Sequence, residues 1–225
     1  MTVLVFPAMP TVTLPITGRP ERFPVRRIFC VGRNYAEHTR EMGGDPGAEP
    51  PFFFTKPADA VVESGGRIPY PPATANLHHE AELVVAIGRA GAMVAEADAA
   101  QMIWGHAAGN DLTRRDLQTE AKASRRPWDM AKGFDKSAVV GPIRPGPIAD
   151  AAIRCTVGGT QRQSARLSDM IWPVPSIIAA LSRLVTLSAG DLIFTGTPAG
   201  VGPLSPGDTC TVGIEGLAPA TITIV

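Results

Sequence analysis

Residues 78–87 constrain the fold most, because they place two acidic side chains at the entrance of an apolar strand. Residues 83–87 read Leu-Val-Val-Ala-Ile before Gly88, which is typical of a buried strand. Strand side chains alternate between faces, so Glu80 and Glu82 point the same way with Cα atoms about 6.6 Å apart. Two carboxylates on one apolar face are unfavourable unless a positive charge lies between them. The pattern therefore predicts a site for a hard divalent cation.

A solvated strand end is the alternative interpretation, since two glutamates two residues apart are common in proteins. His78 shares the predicted face of Glu80 and Glu82, whereas His79 points the other way. His78 is a weaker candidate ligand than either glutamate, because hard cations prefer oxygen to nitrogen.

Composition and charge indicate an ordinary soluble globular protein. The 225 residues are 44% hydrophobic and 19% charged, with 21 basic and 21 acidic side chains. The zero net charge and scattered basic residues argue against nucleic-acid binding. No apolar run approaches the roughly 20 residues that span a membrane, and the Pro-rich start does not resemble a signal peptide. We therefore expect a cytoplasmic protein with no membrane or nucleic-acid partner.

The three cysteines fit that compartment. Cys30, Cys155 and Cys210 are far apart in the sequence and form no Cys-x-x-Cys motif. We expect reduced, structural thiols, with a nucleophilic Cys30 as a weaker alternative.

A short helix is predicted over residues 33–42, where a pair of side chains has the spacing of a general base. His38 and Glu41 are three residues apart, so they face the same side of a helix and can touch. A carboxylate beside an imidazole orients the ring and raises its basicity. An exposed polar pair is the alternative. The helix and the turn-forming residues 45–51 together predict a movable lid.

A second candidate set follows residues 104–109, which we interpret as a buried strand of small residues. Asp111, Arg115 and Gln118 recur at the spacing of one helical face. An acid, a guanidinium and an amide on one face suit a metal ligand together with donors to anions and carbonyl oxygens. The alternative is a helix whose N-cap is Asp111, paired with Arg115 along the helix.

Lysines are scarce in this chain, which draws attention to each of them. Only four of the 21 basic residues are Lys, and Lys132 and Lys136 lie within one short segment. Lys132 lies between apolar residues and a glycine, so it can be partly buried and stabilise an oxyanion or carbanion. A surface lysine in a loop is the alternative. Lys56 is a candidate anion contact, although a snorkelling lysine is the commoner case.

A glycine-rich loop over residues 195–202 follows a predicted strand. It exposes backbone N–H groups and the Thr197 hydroxyl, which predicts a nest for a carboxylate. No Gly-Lys-Ser/Thr follows, so it is not a phosphate loop. A plain turn is the alternative.

Six motifs in this order resemble the fumarylacetoacetate hydrolase family, and they are specific jointly although each is weak alone. The resemblance covers about residues 26–225, which we interpret as one catalytic domain after a short N-terminal β arm over residues 1–25. The opening segments of the chain are most similar to the short bacterial branch of this family, which cleaves acylpyruvates. The motifs are residues 32–38, 52–57, 79–82, 109–111, 131–135 and 195–202.

The resemblance implies an α+β fold that is predominantly β: a mixed β-sandwich roll of the family's C-terminal domain type, with a short lid helix. It also implies a homodimer and a Mg²⁺ or Mn²⁺ ion held by Glu80, Glu82 and Asp111. Larger family members have a further acidic ligand nearer the N-terminus, and no clear equivalent occurs in this sequence.

The family pattern implies a role for each remaining candidate residue. His38 and Glu41 match the pair that activates water, and Lys132 matches the lysine that stabilises developing negative charge. The implied substrate contacts are Arg33, Arg115, Gln118, Gly196 and Thr197.

The implied activity is metal-dependent hydrolysis of a carbon–carbon bond in a 2,4-dioxo acid. The expected reaction converts fumarylpyruvate to fumarate and pyruvate in aromatic-compound catabolism. Oxaloacetate decarboxylation, or isomerisation with decarboxylation of a 2-oxo diacid, is the enzymatic alternative. A non-catalytic metal-binding β module is the alternative of another class, and the intact His38, Glu41 and Lys132 argue against it.

Overall fold

The computed structural model describes residues 3–46 and 50–225, so residues 47–49 of the predicted lid loop lie outside the described residues. Strands dominate. In chain order they are β1 (Thr13–Ile16), β2 (Arg19–Pro24), β3 (Arg27–Gly32), β4 (Phe52–Lys56), β5 (Val61–Glu63), β6 (Gly66–Ile68), β7 (Leu77–His79), β8 (Ala81–Ile87), β9 (Ile103–Asp111), β10 (Thr113–Arg114), β11 (Ala138–Val140), β12 (Arg144–Pro145), β13 (Ala152–Val157), β14 (Thr160–Arg166), β15 (Asp191–Phe194), β16 (Gly202–Pro203), β17 (Thr209–Ile214) and β18 (Ala220–Ile224).

Helices are few and short within the described residues. The predicted helix over residues 33–42 exists but is shorter, because Arg33 has a φ of 58° and Tyr35 is extended. The α helices are α1 (Ala36–Glu41), α2 (Arg115–Ala123), α3 (Asp129–Lys132) and α4 (Val174–Leu184), and the 3-10 helices are Ala58–Ala60, Glu96–Met102 and Leu167–Asp169.

Two large sheets form the body of the protein. The first sheet has the order β4-β3-β15-β8-β9-β11-β5, with β12 also pairing with β9. It is mixed, since β3–β15 and β5–β11 are parallel and the other pairs are antiparallel. The second sheet has the order β14-β13-β17-β18-β6, and the smaller sheets are β10-β7-β16 and the hairpin β1-β2. This architecture confirms the expected α+β, predominantly β fold.

Strand β8 is buried along its whole length and contacts two cores. Leu83 and Val85 lie on one face, in the core that includes side chains of β13 and β17 from the second sheet. Val84 and Ala86 lie on the other face, in the core that the β1–β2 hairpin helps to form. Because side chains alternate between the two faces of β8 and each face contacts an apolar core, every residue of this run is apolar from Leu83 onward. The predicted division at residue 25 stays a prediction.

The pairing of β8 with β9 brings the acidic residues together. Its register sets Glu82 opposite Gly109, and the N–H of Asp111 donates to the carbonyl of Glu80 at 2.9 Å. A Cβ on Gly109 would lie 2.4 Å from Val84 Cγ2, so the close approach of the strands requires glycine there. Asp111 consequently lies beside Glu80.

Two predictions about these strands are wrong. Asp111 is the last residue of β9 and pairs with Ala138, so neither the shared helical face nor the N-cap alternative applies to it. Residues 78–87 form two strands rather than one, because β7 pairs with β10 and β16 while β8 pairs with β9 and β15. Glu80 lies at the junction between them.

Within residues 3–46 and 50–225, no helix combines the length and apolar character needed to cross a membrane.

Replacing Leu192 with alanine tests how strongly the central strands stabilise the fold. Leu192 is fully buried in β15 between β3 and β8, so Leu192→Ala should lower the free energy of unfolding by about 2–5 kcal/mol. Leu184 on α4 is 68% exposed, and Leu184→Ala is the matched control. Urea denaturation measures the free energy of unfolding of both variants. An equal loss of stability in the two would contradict this packing.

Candidate metal centre and active site

Three buried carboxylates meet at the ends of β7, β8 and β9. Glu80, Glu82 and Asp111 are 5%, 1% and 0% exposed. One oxygen from each lies within 4.8 Å of the others, which is close enough to bind one ion. The predicted convergence of the two glutamates is therefore confirmed, and the solvated strand end is wrong.

Three cationic side chains lie against these carboxylates. Lys132 Nζ lies 2.6 Å from Glu80 Oε2 and 2.8 Å from Asp111 Oδ2. Lys56 Nζ lies 2.7 Å from Asp111 Oδ1, and Arg115 Nη2 lies 2.5 Å from Glu80 Oε1. Both lysines are 2% exposed, so neither is a surface or snorkelling lysine. The cations offset the desolvation that charged carboxylates suffer on burial.

The cationic side chains do not stabilise the charged forms of the carboxylates equally, as the directions of the pKa shifts indicate. Burial opposes ionisation of Glu80, but the charges of Lys132 and Arg115 outweigh it and hold the pKa of Glu80 below its usual range. Burial, followed by the charges of Asp111 and Glu80, raises the pKa of Glu82 well above its usual range. Burial lowers the pKa of Lys132, but its carboxylate neighbours outweigh this and raise it. Glu82 therefore retains a proton more readily than Glu80 does.

The donor set fits a hard divalent cation. All three side chains offer oxygen, which Mg²⁺ and Mn²⁺ prefer. Asp111 Oδ1 is buried and accepts no hydrogen bond from the described residues, since Lys56 Nζ approaches it outside hydrogen-bonding geometry. A buried oxygen without a hydrogen bond is unfavourable unless a ligand contacts it. A bound cation would also take the place of the proton on Glu82.

Gly196 orients Glu82 from the glycine-rich loop. Its N–H donates to Glu82 Oε2 at 2.7 Å. A φ of 96° and a distance of only 2.6 Å from a Cβ at this position to Asn34 Cβ both require glycine. In the structure, this N–H therefore binds a carboxylate of the protein itself. The substrate contact predicted for Gly196 stays a prediction.

His38 and Glu41 form the expected pair on α1. His38 Nδ1 lies 3.0 Å from Glu41 Oε2, and the Gly200 N–H donates to the two Glu41 oxygens at 3.2 and 3.3 Å. His38 is 6% exposed, so the exposed-pair alternative is wrong for the imidazole. Burial lowers the pKa of His38 against the opposing effect of Glu80 and Glu41. A neutral ring that donates from Nδ1 leaves Nε2 as its basic nitrogen.

One cavity joins Glu80 and Glu82 to the imidazole of His38. Arg115 and Gln118 lie on the same side of α2, with Arg115 Nη1 2.6 Å from Gln118 Oε1. Of the predicted site residues, Glu41, Gly196 and Asp111 do not line the cavity, but each contacts a residue that does. The lining includes Arg33, His38, Glu80, Glu82, Arg115, Gln118, Lys132 and Thr197.

Sequence reasoning missed Lys122 and Gln163 and underrated Lys56. Lys122 lines the cavity four residues after Gln118. Burial, followed by the charges of Arg115 and Arg33, lowers its pKa to about 8. The scarcity of lysine is the signal that would have found Lys56 and Lys122, since three of the four lysines lie at this site. Gln163 gave no signal, because its strand is otherwise exposed or half-buried.

The fold and this cavity define an enzyme with a divalent-metal site built on a β-sandwich roll. Residues 27–225 match the family described as Fumarylacetoacetate (FAA) hydrolase C-terminal, and the chain belongs to that family.

Several characterised relatives are similar over most of their length. A crystal structure of fumarylpyruvate hydrolase from Pseudomonas aeruginosa in complex with Mn²⁺ and pyruvate has a TM-score of 0.97 and 45% identity, covering 99% of each chain. A fumarylpyruvate hydrolase from a Ralstonia species is 44% identical over 80% of this chain and 95% of its own. A mitochondrial oxaloacetate decarboxylase from Dictyostelium discoideum is 39% identical over 85% of this chain and 90% of its own.

The raised pKa of Glu82 predicts that cation binding is coupled to proton release. Because a bound cation replaces the proton, affinity for Mn²⁺ should rise with pH until Glu82 is ionised in the free protein. Titration calorimetry in buffers of different ionisation enthalpy measures the protons released. Glu82→Gln should abolish most of this pH dependence, whereas Glu21→Gln on exposed β2 should not. An affinity independent of pH in the wild type would contradict the assignment.

Proposed function

We propose that the chain hydrolyses a carbon–carbon bond in a 2,4-dioxo acid and converts fumarylpyruvate to fumarate and pyruvate. The observation that carries this proposal is one cavity that joins two of the three clustered carboxylates to a neutral imidazole paired with a carboxylate. The Pseudomonas aeruginosa relative, with its Mn²⁺ and pyruvate, supports the assignment.

Glu80, Glu82 and Asp111 hold the cation, which we propose is Mg²⁺ or Mn²⁺. When bound, it acts as a Lewis acid on the oxygens of the keto acid and stabilises negative charge there. Lys132 favours the ionised form of Glu80 and contacts Asp111. It also lies on the cavity wall, so its own positive charge favours the anionic leaving group.

His38 is the proposed general base. Its Nε2 takes a proton from water while Glu41 holds the ring through Nδ1. The hydroxide attacks the 4-carbonyl, the bond between C3 and C4 breaks, and its electron pair passes to C3 of pyruvate as an enolate. Protonation of that carbon by the imidazolium completes the turnover and restores the neutral ring.

Cationic and hydroxyl groups would hold the substrate in place. Arg33, Arg115 and Gln118 bring donors to the cavity, and Thr197 adds a hydroxyl. A dioxo acid with one or two carboxylates suits such a wall, because anions are bound best by guanidinium and hydroxyl donors in a desolvated site.

Oxaloacetate decarboxylation is the second candidate, and the Dictyostelium discoideum relative is the observation that favours it. The two reactions share the need to stabilise an enolate and differ in the bond that breaks. Only hydrolysis requires a base that activates water, so the neutral, oriented His38 favours the hydrolase. A metal-binding module without activity would have no need of that pair.

We further propose a homodimer in the cytoplasm. The N-terminal segment exposes apolar side chains that a partner subunit would cover. Val3, Val5, Phe6 and Met9 are 93%, 91%, 78% and 88% exposed in the single chain.

The products of turnover discriminate between the two reactions. With fumarylpyruvate and Mg²⁺ in ¹⁸O-labelled water, we expect pyruvate together with fumarate that carries one labelled carboxylate oxygen, because hydroxide attacks the 4-carbonyl. Oxaloacetate should release CO₂ no faster than its uncatalysed rate. Mass spectrometry measures the label, and CO₂ release without cleavage of fumarylpyruvate would establish the decarboxylase instead.

Replacing His38 separates its role from that of the metal site. His38→Ala should lower kcat by about 10²–10⁴-fold, the usual contribution of a general base, while leaving Mn²⁺ binding intact. His106 is buried and hydrogen-bonds the Gly146 carbonyl outside the cavity, so His106→Asn controls for loss of a buried imidazole. Steady-state kinetics and Mn²⁺ calorimetry provide the two readings. Near-normal turnover of His38→Ala would remove the residue from the mechanism.

A further inference from the structure

Gln163 is the one fully buried residue of β14, an edge strand of the second sheet. It is 1% exposed, whereas the other residues of the strand are exposed or half-buried. A buried amide must find hydrogen-bond partners, and these partners define what the residue does.

The four hydrogen-bonding positions of this amide are all used. Gln163 Oε1 accepts from His79 Nδ1 and from the Ala81 N–H, each at 3.0 Å. Nε2 donates to the Pro198 carbonyl at 2.7 Å and to Thr197 Oγ1 at 2.8 Å. The orientation of the amide is unambiguous, because a backbone N–H can only donate and a backbone carbonyl can only accept.

This orientation dictates the role of the Thr197 hydroxyl. Since Gln163 donates to Oγ1, the hydroxyl oxygen is an acceptor on that side and its own proton must point elsewhere. Thr197 is 3% exposed and lines the cavity, and within the described residues no protein acceptor receives that proton. The cavity is the direction left to it.

We propose that Gln163 is a positioning residue, which sets the Thr197 hydroxyl as an obligate donor to a carboxylate oxygen of the keto-acid substrate. The proposal rests on the proposed function, because it needs an anionic oxygen in the cavity. A carboxylate can only accept hydrogen bonds, so a hydroxyl whose proton is already directed outward binds it without reorientation. Gln163 also links the second sheet to the first, since its Oε1 accepts from the N–H of Ala81 in β8. Its other Oε1 partner, His79, lies on the opposite side of Glu80 in the sequence.

A double-mutant cycle tests this link. Gln163→Glu keeps the shape of the side chain but presents an acceptor to Thr197, which turns the hydroxyl proton away from the cavity. Thr197→Val removes the hydroxyl. Each should weaken pyruvate binding to the Mn²⁺-loaded protein by about tenfold, the usual effect of losing a hydrogen bond to a charged group. In the Thr197→Val background, Gln163→Glu should add no further loss.

Calorimetry with pyruvate gives these affinities, and fumarylpyruvate kinetics should show KM rising with little change in kcat. Gln161→Glu makes the same substitution at an exposed position of β14 and should leave both unchanged. An equal loss from Gln163→Glu in both backgrounds would reveal a merely structural role and overturn the proposal. So would an unchanged affinity in the single variant.

Two further variants cover the case in which Gln163→Glu does not fold. Gln163→Met is uncharged and of similar length, and the same cycle applies to it. Thr197→Ser should retain pyruvate affinity while Thr197→Val loses it, and equal affinities would overturn the proposal without any change at Gln163. If the wild-type protein cleaves fumarylpyruvate but the two substitutions give additive losses of pyruvate affinity, only this inference is contradicted. Wild-type protein that binds no pyruvate contradicts the proposed function as well.

Discussion

Burial of three carboxylates in one small volume is the constraint on which the rest of the structure depends. Glu80, Glu82 and Asp111 would repel one another and lose hydration if nothing offset their charge. The protein places Lys132 and Lys56 against them, yet Glu82 still retains a raised pKa and Asp111 keeps an oxygen without a hydrogen bond. This incomplete compensation is what makes the site suited to a divalent cation.

The two large sheets contribute different residues to the site. The first sheet supplies Glu82 and Asp111 from paired strands whose close approach requires Gly109. Short helices and loops, which are freer to vary, supply the imidazole and the proposed substrate contacts. The second sheet contributes Gln163, which connects the loop of Thr197 to the strand beside Glu80. Strands thus hold the clustered carboxylates, and connecting segments bring the imidazole to them.

Much of this arrangement could be predicted from the sequence, because local patterns determine it. Strand alternation predicted that Glu80 and Glu82 converge, and helical spacing predicted the contact between His38 and Glu41. The helix predicted from Asp111 begins only at Arg115, because β9 continues through Asp111 and β10 follows it. The family resemblance, rather than spacing, identified the reaction.

What could not be predicted depends on pairing between distant segments. The contact of Lys56 with Asp111 joins residues 55 positions apart, and that of Gln163 with Thr197 joins residues 34 apart. No periodicity encodes such contacts, since the sheet order that creates them is decided by packing of the whole chain. A buried lysine or amide therefore looks like a surface residue until the fold is known.

Titration of metal-free protein with Mn²⁺, with fumarylpyruvate cleavage measured at each step, tests the central claim most directly. If the three carboxylates form the catalytic metal site, the rate should rise in proportion to bound Mn²⁺ and reach a plateau at one ion per chain. Full activity in the metal-free protein, or binding of one ion without any gain in rate, would contradict the account.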